Sequence, residues 1–292
     1  MAGFGLGLRC LNRFTHELLL RAAWGKERAD VNAWRVAHLR LKPIRDPLGA
    51  FGIIHRRGIP MIVACSTLSC GTLQARPNDA PHSAEIGGFV FVPAAEESGE
   101  TVDQRVVAFI ARAAADSIPV VYIGQGSMAA EPRWLCGLAA EVCARAGVRA
   151  VIIAGWSGID AAAVADNSAL LVAADVPHDW LFPRCACVVH HCSIGTMAAA
   201  LRAGVPQVPT PFAVDQPYNA AMLVRIGVAP AAVPWGVVSG AVLAAEVARA
   251  IDPTKPFAAA ARRVSAFVRA ESAGALDRYA NMVEAAQRWA EV

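Results

Sequence analysis

The sequence predicts an α/β protein built on a parallel sheet with helices on both faces. Three observations carry this prediction. From about residue 120 onward, short β-rich apolar runs alternate with helical stretches at regular spacing. The runs are apolar throughout, as strands buried on both faces are. Glycine-rich or polar junctions follow the runs, at the carboxyl ends of strands, where such sheets bind ligands.

The elements can be justified in order. Pro119–Ile123 is the first strand of the series, followed by Gly124–Met128 and a helix over Trp134–Ala146. Arg149–Ala154 is a second strand, closed by Gly155, and Ala169–Val172 a third. Cys185–Val189 is a fourth, leading through His190 and His191 into a helix over Thr196–Ala203. Gln207–Pro211 is a short fifth strand before a helix over Tyr218–Ile226, and Val228–Val233 is a candidate sixth. The region before about Glu100 is less regular. Phe14, Leu18 and Arg21 sit at helical spacing, Val31–Leu39 reads as helix, Pro60–Cys65 as one strand, and Gln74–Ser83 as loop. Pro256–Val292 reads as two helices broken near Ser272–Gly274.

Composition narrows the class of protein. The 292 residues are 55% hydrophobic and 17% charged, enough for a sizeable core and too apolar for a disordered chain. The net charge of +3 comes without a basic stripe, so no nucleic-acid partner is expected. The eight cysteines include no C-x-x-C pair, and free thiols in a reducing compartment are expected rather than disulfides or a metal site. Cys185 and Cys187 alternate with apolar residues and are expected to share one face of a strand. No apolar run reaches the length of a membrane span.

Four junctions carry candidate chemistry. After the fourth strand, two histidines precede a small-residue turn that opens a helix. A helix start offers unpaired N–H groups and partial positive charge, which suits phosphate. There Gly195 permits close approach, Thr196 adds a hydroxyl, and a strand-end histidine can donate to phosphate oxygen. An ordinary βα turn capped by Ser193 or Thr196 is the alternative. After the fifth strand, a proline-rich turn presents Asp215 and Gln216, acceptors suited to sugar hydroxyls, or Asp215 simply caps the next helix. Gly124–Met128 invites a dinucleotide reading. However, the third glycine of G-x-G-x-x-G falls on Ala129 and no acid ends the next strand, so nicotinamide and flavin chemistry is disfavoured. A glycine turn with Ser127 near phosphate remains, against a plain tight turn. Val176–Pro183 either packs on the sheet edge or borders a base-binding slot through His178.

Together the stretches Pro119–Met128, Ala154–Ile159, Val176–Pro183, His190–Thr196 and Gly204–Ala221 resemble the family 1 UDP-glycosyltransferases of GT-B fold, most closely the sterol 3-β-glucosyltransferase branch. Their order and spacing match over about half the chain. The resemblance implies a GT-B-type Rossmann-like donor domain joined to the C-terminal remnant of an acceptor domain. The implied divisions are 1–98 for the remnant, 99–270 for the donor domain, and 271–292 for a helix crossing back to the acceptor domain. Asn32–Arg35, Ile59–Ser69 and Arg76–Asp79 resemble the end of the acceptor domain, and Asp277–Ala290 resembles the returning helix.

By the same resemblance, His191 binds the donor diphosphate, with Ser193, Gly195 and Thr196 at the helix start and Ser127 lining the same pocket. Asp215 and Gln216 hold the hexose. The implied reaction moves glucose from UDP-glucose to a sterol or other lipophilic hydroxyl with inversion. It needs no metal or other cofactor, because the histidine and helix dipole stabilise the leaving diphosphate. The expected location is the cytoplasm, with peripheral membrane contact as an alternative. Two departures qualify this. The family has two glycines after the histidine pair, where this chain has Cys192 and Ser193. If residue 193 needs a positive φ, serine there costs about 1 kcal/mol. The family's catalytic base lies in an N-terminal segment that nothing before Val31 resembles. The alternative is therefore a catalytically incomplete nucleotide-sugar-binding protein, or one subunit of a split transferase whose partner chain supplies the acceptor domain.

Overall fold

The computed structural model describes residues 9–59, 61–70, 84–91, 102–126, 128, 130–154, 158–160, 164 and 167–290. Ser127, Gly155, and the loop expected over Gln74–Ser83 with its Arg76–Asp79 motif, lie outside them. The chain divides into two compact units, Met1–Gly87 with Gly274–Val292, and Gly88–Ala273.

The first unit contains helices α1 (Arg9–Leu39) and α2 (Ala50–Arg57), strands β1 (Met61–Val63) and β2 (Ala84–Ile86), and the last helix of the chain, Ala275–Ala290. The two strands pair in parallel, Met61 beside Ala84 and Val63 beside Ile86. The phenol of Tyr279 accepts from Gly87 N–H at 3.0 Å, and Arg278 donates to the Gly87 carbonyl. Asn32 pins the segment after α1 by accepting from Ile44 N–H at 2.7 Å and donating to its carbonyl at 3.1 Å. Among the described residues no helix is long and apolar enough to cross a membrane.

The second unit holds α3 (Gln104–Ala115), β3 (Val120–Gly124), α4 (Pro132–Ala146), β4 (Arg149–Ile153), β5 (Leu170–Ala173), α5 (His178–Leu181), β6 (Cys187–His190), α6 (Ile194–Ala203), β7 (Gln207–Pro209), α7 (Gln216–Arg225), α8 (Gly240–Ile251) and α9 (Phe257–Ser272). The remaining helix, Ala275–Ala290, is α10. The sheet is wholly parallel, in the order β5-β4-β3-β6-β7. Successive side chains of a strand point to opposite faces, and the core obeys that rule. Val121, Ile123, Ala150, Ile152, Cys187 and Val189 pack with apolar residues of α4 and α8. Val120, Tyr122, Val151 and Val188 pack on the other face with Val106 and Phe109 of α3 and Ala200 of α6. Each face buries its own apolar layer, which is why the strands read as unbroken apolar runs.

Local chemistry sets the helix ends. Glu131 caps α4 by accepting from Arg133 and Trp134 N–H, with Pro132 at its first turn. Gly147 and Gly204 end α4 and α6 at φ +65° and +75°, a conformation that glycine enters without a Cβ penalty.

Two expectations fail. Val228–Val233 is not a strand. It runs beside β7 and is joined to it by two isolated bonds, Gln207 N–H to the Val228 carbonyl and Val233 N–H to the Pro209 carbonyl. Pro230 and Pro234 remove the donors a sixth ladder needs. Cys185 and Cys187 do not share a face. Cys185 precedes β6, points its thiol at the Leu181 carbonyl, and packs in the layer opposite Cys187.

Candidate functional site

The strand order reverses between β3 and β6, so the crevice outside their carboxyl ends is the expected ligand position. Gly124 and His190 are register partners there. The segments leaving these two strands, Gln125–Gly126 and His191–Thr196, therefore meet at the switch point.

His190 is fully buried and serves the scaffold. Its Nε2 pairs with Gln207 Oε1 at 2.8 Å, and its Nδ1 accepts from Cys192 N–H at 3.1 Å. Since Nδ1 accepts, the ring carries its proton on Nε2 and is neutral. Burial pushes its pKa down to about 3, with the Gln207 bond opposing and the neighbouring His191 and His178 adding to the fall.

His191 is only 3% exposed, and its Nδ1 is buried with no hydrogen-bond partner. Burial lowers its pKa, while the Asp215 carboxylate pulls it back up. The ring lies flush on Gly126. A Cβ at that position would come within 2.5 Å of His191 Cε1. Gly126 has φ +57°, so both conformation and space call for glycine.

Cys192 takes φ +70°, and Ser193 is the extended N-cap of α6 at φ −63°. The strained position is thus one residue earlier than the turn suggested, and it falls on a fully buried thiol. Ser193 makes no side-chain cap bond and instead donates to Thr196 Oγ1 at 3.3 Å. The first intrahelical bond runs from Met197 N–H to the Ser193 carbonyl, so the N–H groups of Ile194, Gly195 and Thr196 have no acceptor within the helix. Gly195 is exposed and Thr196 buried at this end.

The second segment approaches from β7. Asp215 occupies the N-cap position of α7 but makes no cap bond. The residue at the second helical position is Pro217, which has no N–H to offer. The carboxylate is exposed, and its Oδ2 accepts from Asn219 Nδ2 at 3.0 Å. Gln216 is buried and turned inward. Its Oε1 accepts from Phe212 N–H at 2.7 Å and Ala213 N–H at 3.2 Å, bracing the loop that presents Asp215. The same loop holds Val214 at φ +61°, 87% exposed.

The structure therefore brings His191, Ser193, Gly195, Thr196 and Asp215 to one end of the sheet. Ser127 lies outside the described residues. His178 is half-buried, stacked on Phe182 at 4.4 Å and set edge-on to Tyr122 at 5.7 Å, where burial lowers its pKa. Four residues that shape the site carry no clear signal in the sequence, namely Asn219, Gln207, Thr210 and Gln125. Gln125 donates to Thr210 Oγ1 at 3.3 Å, tying the end of β3 to the end of β7. The only hint of Asn219 in the sequence is its i,i+4 spacing from Asp215.

A parallel sheet of this order, covered on both faces, with a histidine and an open helix start at the switch point, has the architecture of a GT-B glycosyltransferase domain. Solved structures agree on the fold. The glycotransferase of kitacinnamycin superposes with TM-score 0.67 at 18% identity, covering 94% of this chain and 66% of that one. Arabidopsis thaliana UGT89C1, solved with UDP, gives TM-score 0.57 at 15% identity, covering 78% of this chain and 58% of that one.

More narrowly, residues 141–275 match the family described as erythromycin biosynthesis protein CIII-like, C-terminal domain. Among curated relatives, the O-mycaminosyltylonolide 6-deoxyallosyltransferase of Streptomyces fradiae is 34% identical over 265 residues, 89% of this chain and 57% of its own. The sterol 3-beta-glucosyltransferase of Debaryomyces hansenii is 29% identical over 225 residues, 74% of this chain and 14% of its own. The chain thus spans from about one seventh to just over half the length of these two relatives.

Proposed function

We propose that this chain binds a nucleoside-diphosphate sugar, UDP-glucose in the first instance, and forms the donor half of a glycosyltransferase acting on a sterol or other lipophilic alcohol. The observation that carries the reading is the buried, unpartnered Nδ1 of His191 beside an α6 start whose first N–H groups have no acceptor in the helix. Leaving a buried polar atom unsatisfied costs about 1–3 kcal/mol, and a ligand that satisfies it recovers that cost. A diphosphate satisfies the helix start and the imidazole together.

In the transfer, the acceptor oxygen bonds to the anomeric carbon as the bond from that carbon to the diphosphate oxygen breaks. Negative charge grows on the diphosphate, where the α6 N–H groups and His191 are placed to stabilise it. Asp215 accepts from sugar hydroxyls, with Gln216 setting its loop. The acceptor proton goes to a base that is not among these residues. A second reading is a nucleotide-sugar-binding subunit completed by a partner chain. Both readings place the work in the cytoplasm or at a membrane surface.

Titration calorimetry with UDP and UDP-glucose tests the reading. His191→Ala should weaken both ligands alike, since both contain the diphosphate. Asp215→Ala should weaken UDP-glucose much more than UDP. Absence of binding to either ligand by the wild type would sink the proposal, and equal losses in the Asp215 variant would remove that residue from the sugar site.

A further inference from the structure

The two segments of the site are far apart in sequence, yet one buried side chain joins them. Asn219 is 4% exposed. Its Nδ2 donates to the Cys192 carbonyl at 2.9 Å and to Asp215 Oδ2 at 3.0 Å, so both amide hydrogens are committed, one to each segment. The opposite amide orientation would set an oxygen against two acceptors, which fixes the assignment.

The contact at Cys192 matters because that residue is the strained one. Its N–H is held by His190 Nδ1, its carbonyl by Asn219, and His190 is anchored in turn by Gln207. A continuous chain of hydrogen bonds therefore runs from β7 through β6 and the left-handed turn to α7. At the far end, Asp215 lacks the cap bond that would ordinarily orient an aspartate at a helix start, since its backbone is helical rather than extended and Pro217 offers no N–H. The amide of Asn219 holds the carboxylate instead.

We infer that Asn219 is a positioning residue that registers the Asp215 carboxylate against the phosphate-side turn, so that a diphosphate held at α6 finds its sugar within reach of Asp215. This deepens the donor-site reading and rests on it. Asn219 itself touches neither the phosphates nor the reacting atoms. Its effect falls on the sugar's share of binding, which a purely structural role would not single out.

The test compares UDP with UDP-glucose by titration calorimetry on the full chain, with near-UV circular dichroism to confirm folding. Asn219→Ala should weaken UDP-glucose about tenfold more than UDP, the scale of one hydrogen bond to a charged group. Asn219→Asp keeps the shape but turns a carboxylate toward Asp215, and it should show the same selective loss if the alanine variant folds poorly. The double variant Asn219→Ala, Asp215→Ala should lose no more selectivity than Asp215→Ala alone, because both changes act through one carboxylate. Equal losses for the two ligands in the Asn219 variants, or an additive loss of selectivity in the double variant, overturns the inference while leaving the donor site in place. A wild type that binds neither ligand overturns the donor-site reading itself.

Discussion

Gly126→Ala tests the site through a single methyl group. The added carbon would stand 2.5 Å from His191 Cε1 and 3.1 Å from Nε2. Contacting carbons rest about 3.5–4.0 Å apart, so the ring has to retreat by about 1 Å. The backbone at 126 has φ +57°, which costs an alanine about 1 kcal/mol on its own. The retreat takes the imidazole away from the diphosphate position and forfeits a hydrogen bond to a charged group, worth about 1.5–3 kcal/mol. UDP should therefore bind roughly tenfold to a hundredfold more weakly. The assay is a double-mutant cycle by calorimetry and thermal unfolding. On a His191→Ala background, where there is no ring to displace, Gly126→Ala should leave UDP affinity within about twofold and still lower the melting temperature through its φ cost. If Gly126→Ala weakens UDP equally with and without the imidazole, or not at all, His191 is not the group that Gly126 positions.

Two further predictions concern stability. His190 is a base whose folded pKa is depressed to about 3 from 6.5, so the unfolded chain binds the extra proton between those values. Its contribution is complete above about pH 6.5 and declines as pH falls toward 3, by up to about 1.4 kcal/mol per pH unit. Thermal unfolding from pH 7 to pH 4 should steepen accordingly, and a His190→Asn variant should show a shallower slope, since His191 and His178 still titrate in the same direction; parallel slopes would contradict the buried neutral tautomer. Val214 is β-branched, 87% exposed, and held at φ +61°. Val214→Asn exchanges a strained residue for one that tolerates this conformation, and a gain of about 1 kcal/mol should appear as a higher melting temperature. A lower one would mean that the loop does not hold this φ.

The sheet is legible because it is buried on both sides. Each of β3 to β7 falls within or overlaps its expected run, and the two apolar layers explain why no alternation marks the faces. The signal fails where hydrogen bonding rather than apolar character decides. Val228–Val233 is apolar and part of it is buried, yet Pro230 and Pro234 deny it a ladder, and apolarity alone does not tell an edge segment from an edge strand. Helices α3 and α8 lie outside the expected elements although Asp103 and Ser239 cap them.

At the site, the residues that face the ligand crevice are easier to find than those that hold them. His191 and Asp215 stand out as polar groups directly after apolar strands. Gln207 and Asn219 do not, because a polar residue at a strand start or on a helix reads as solvent-facing until its partner comes into view. The misplaced strain has the same origin. Reading the helix from Thr196 rather than Ile194 shifts its cap by two residues and invites a positive φ at Ser193. With the cap at Ser193, which is extended, the reversal of the chain has to occur before it, at Cys192. That residue is also where His190 and Asn219 converge, one on its N–H and one on its carbonyl. A left-handed cysteine costs about 1–2 kcal/mol, and two hydrogen bonds at about 0.5–1.5 kcal/mol each are of the size needed to hold it. The polar residues hardest to read from the sequence are thus the ones that make a left-handed turn tolerable at a residue other than glycine.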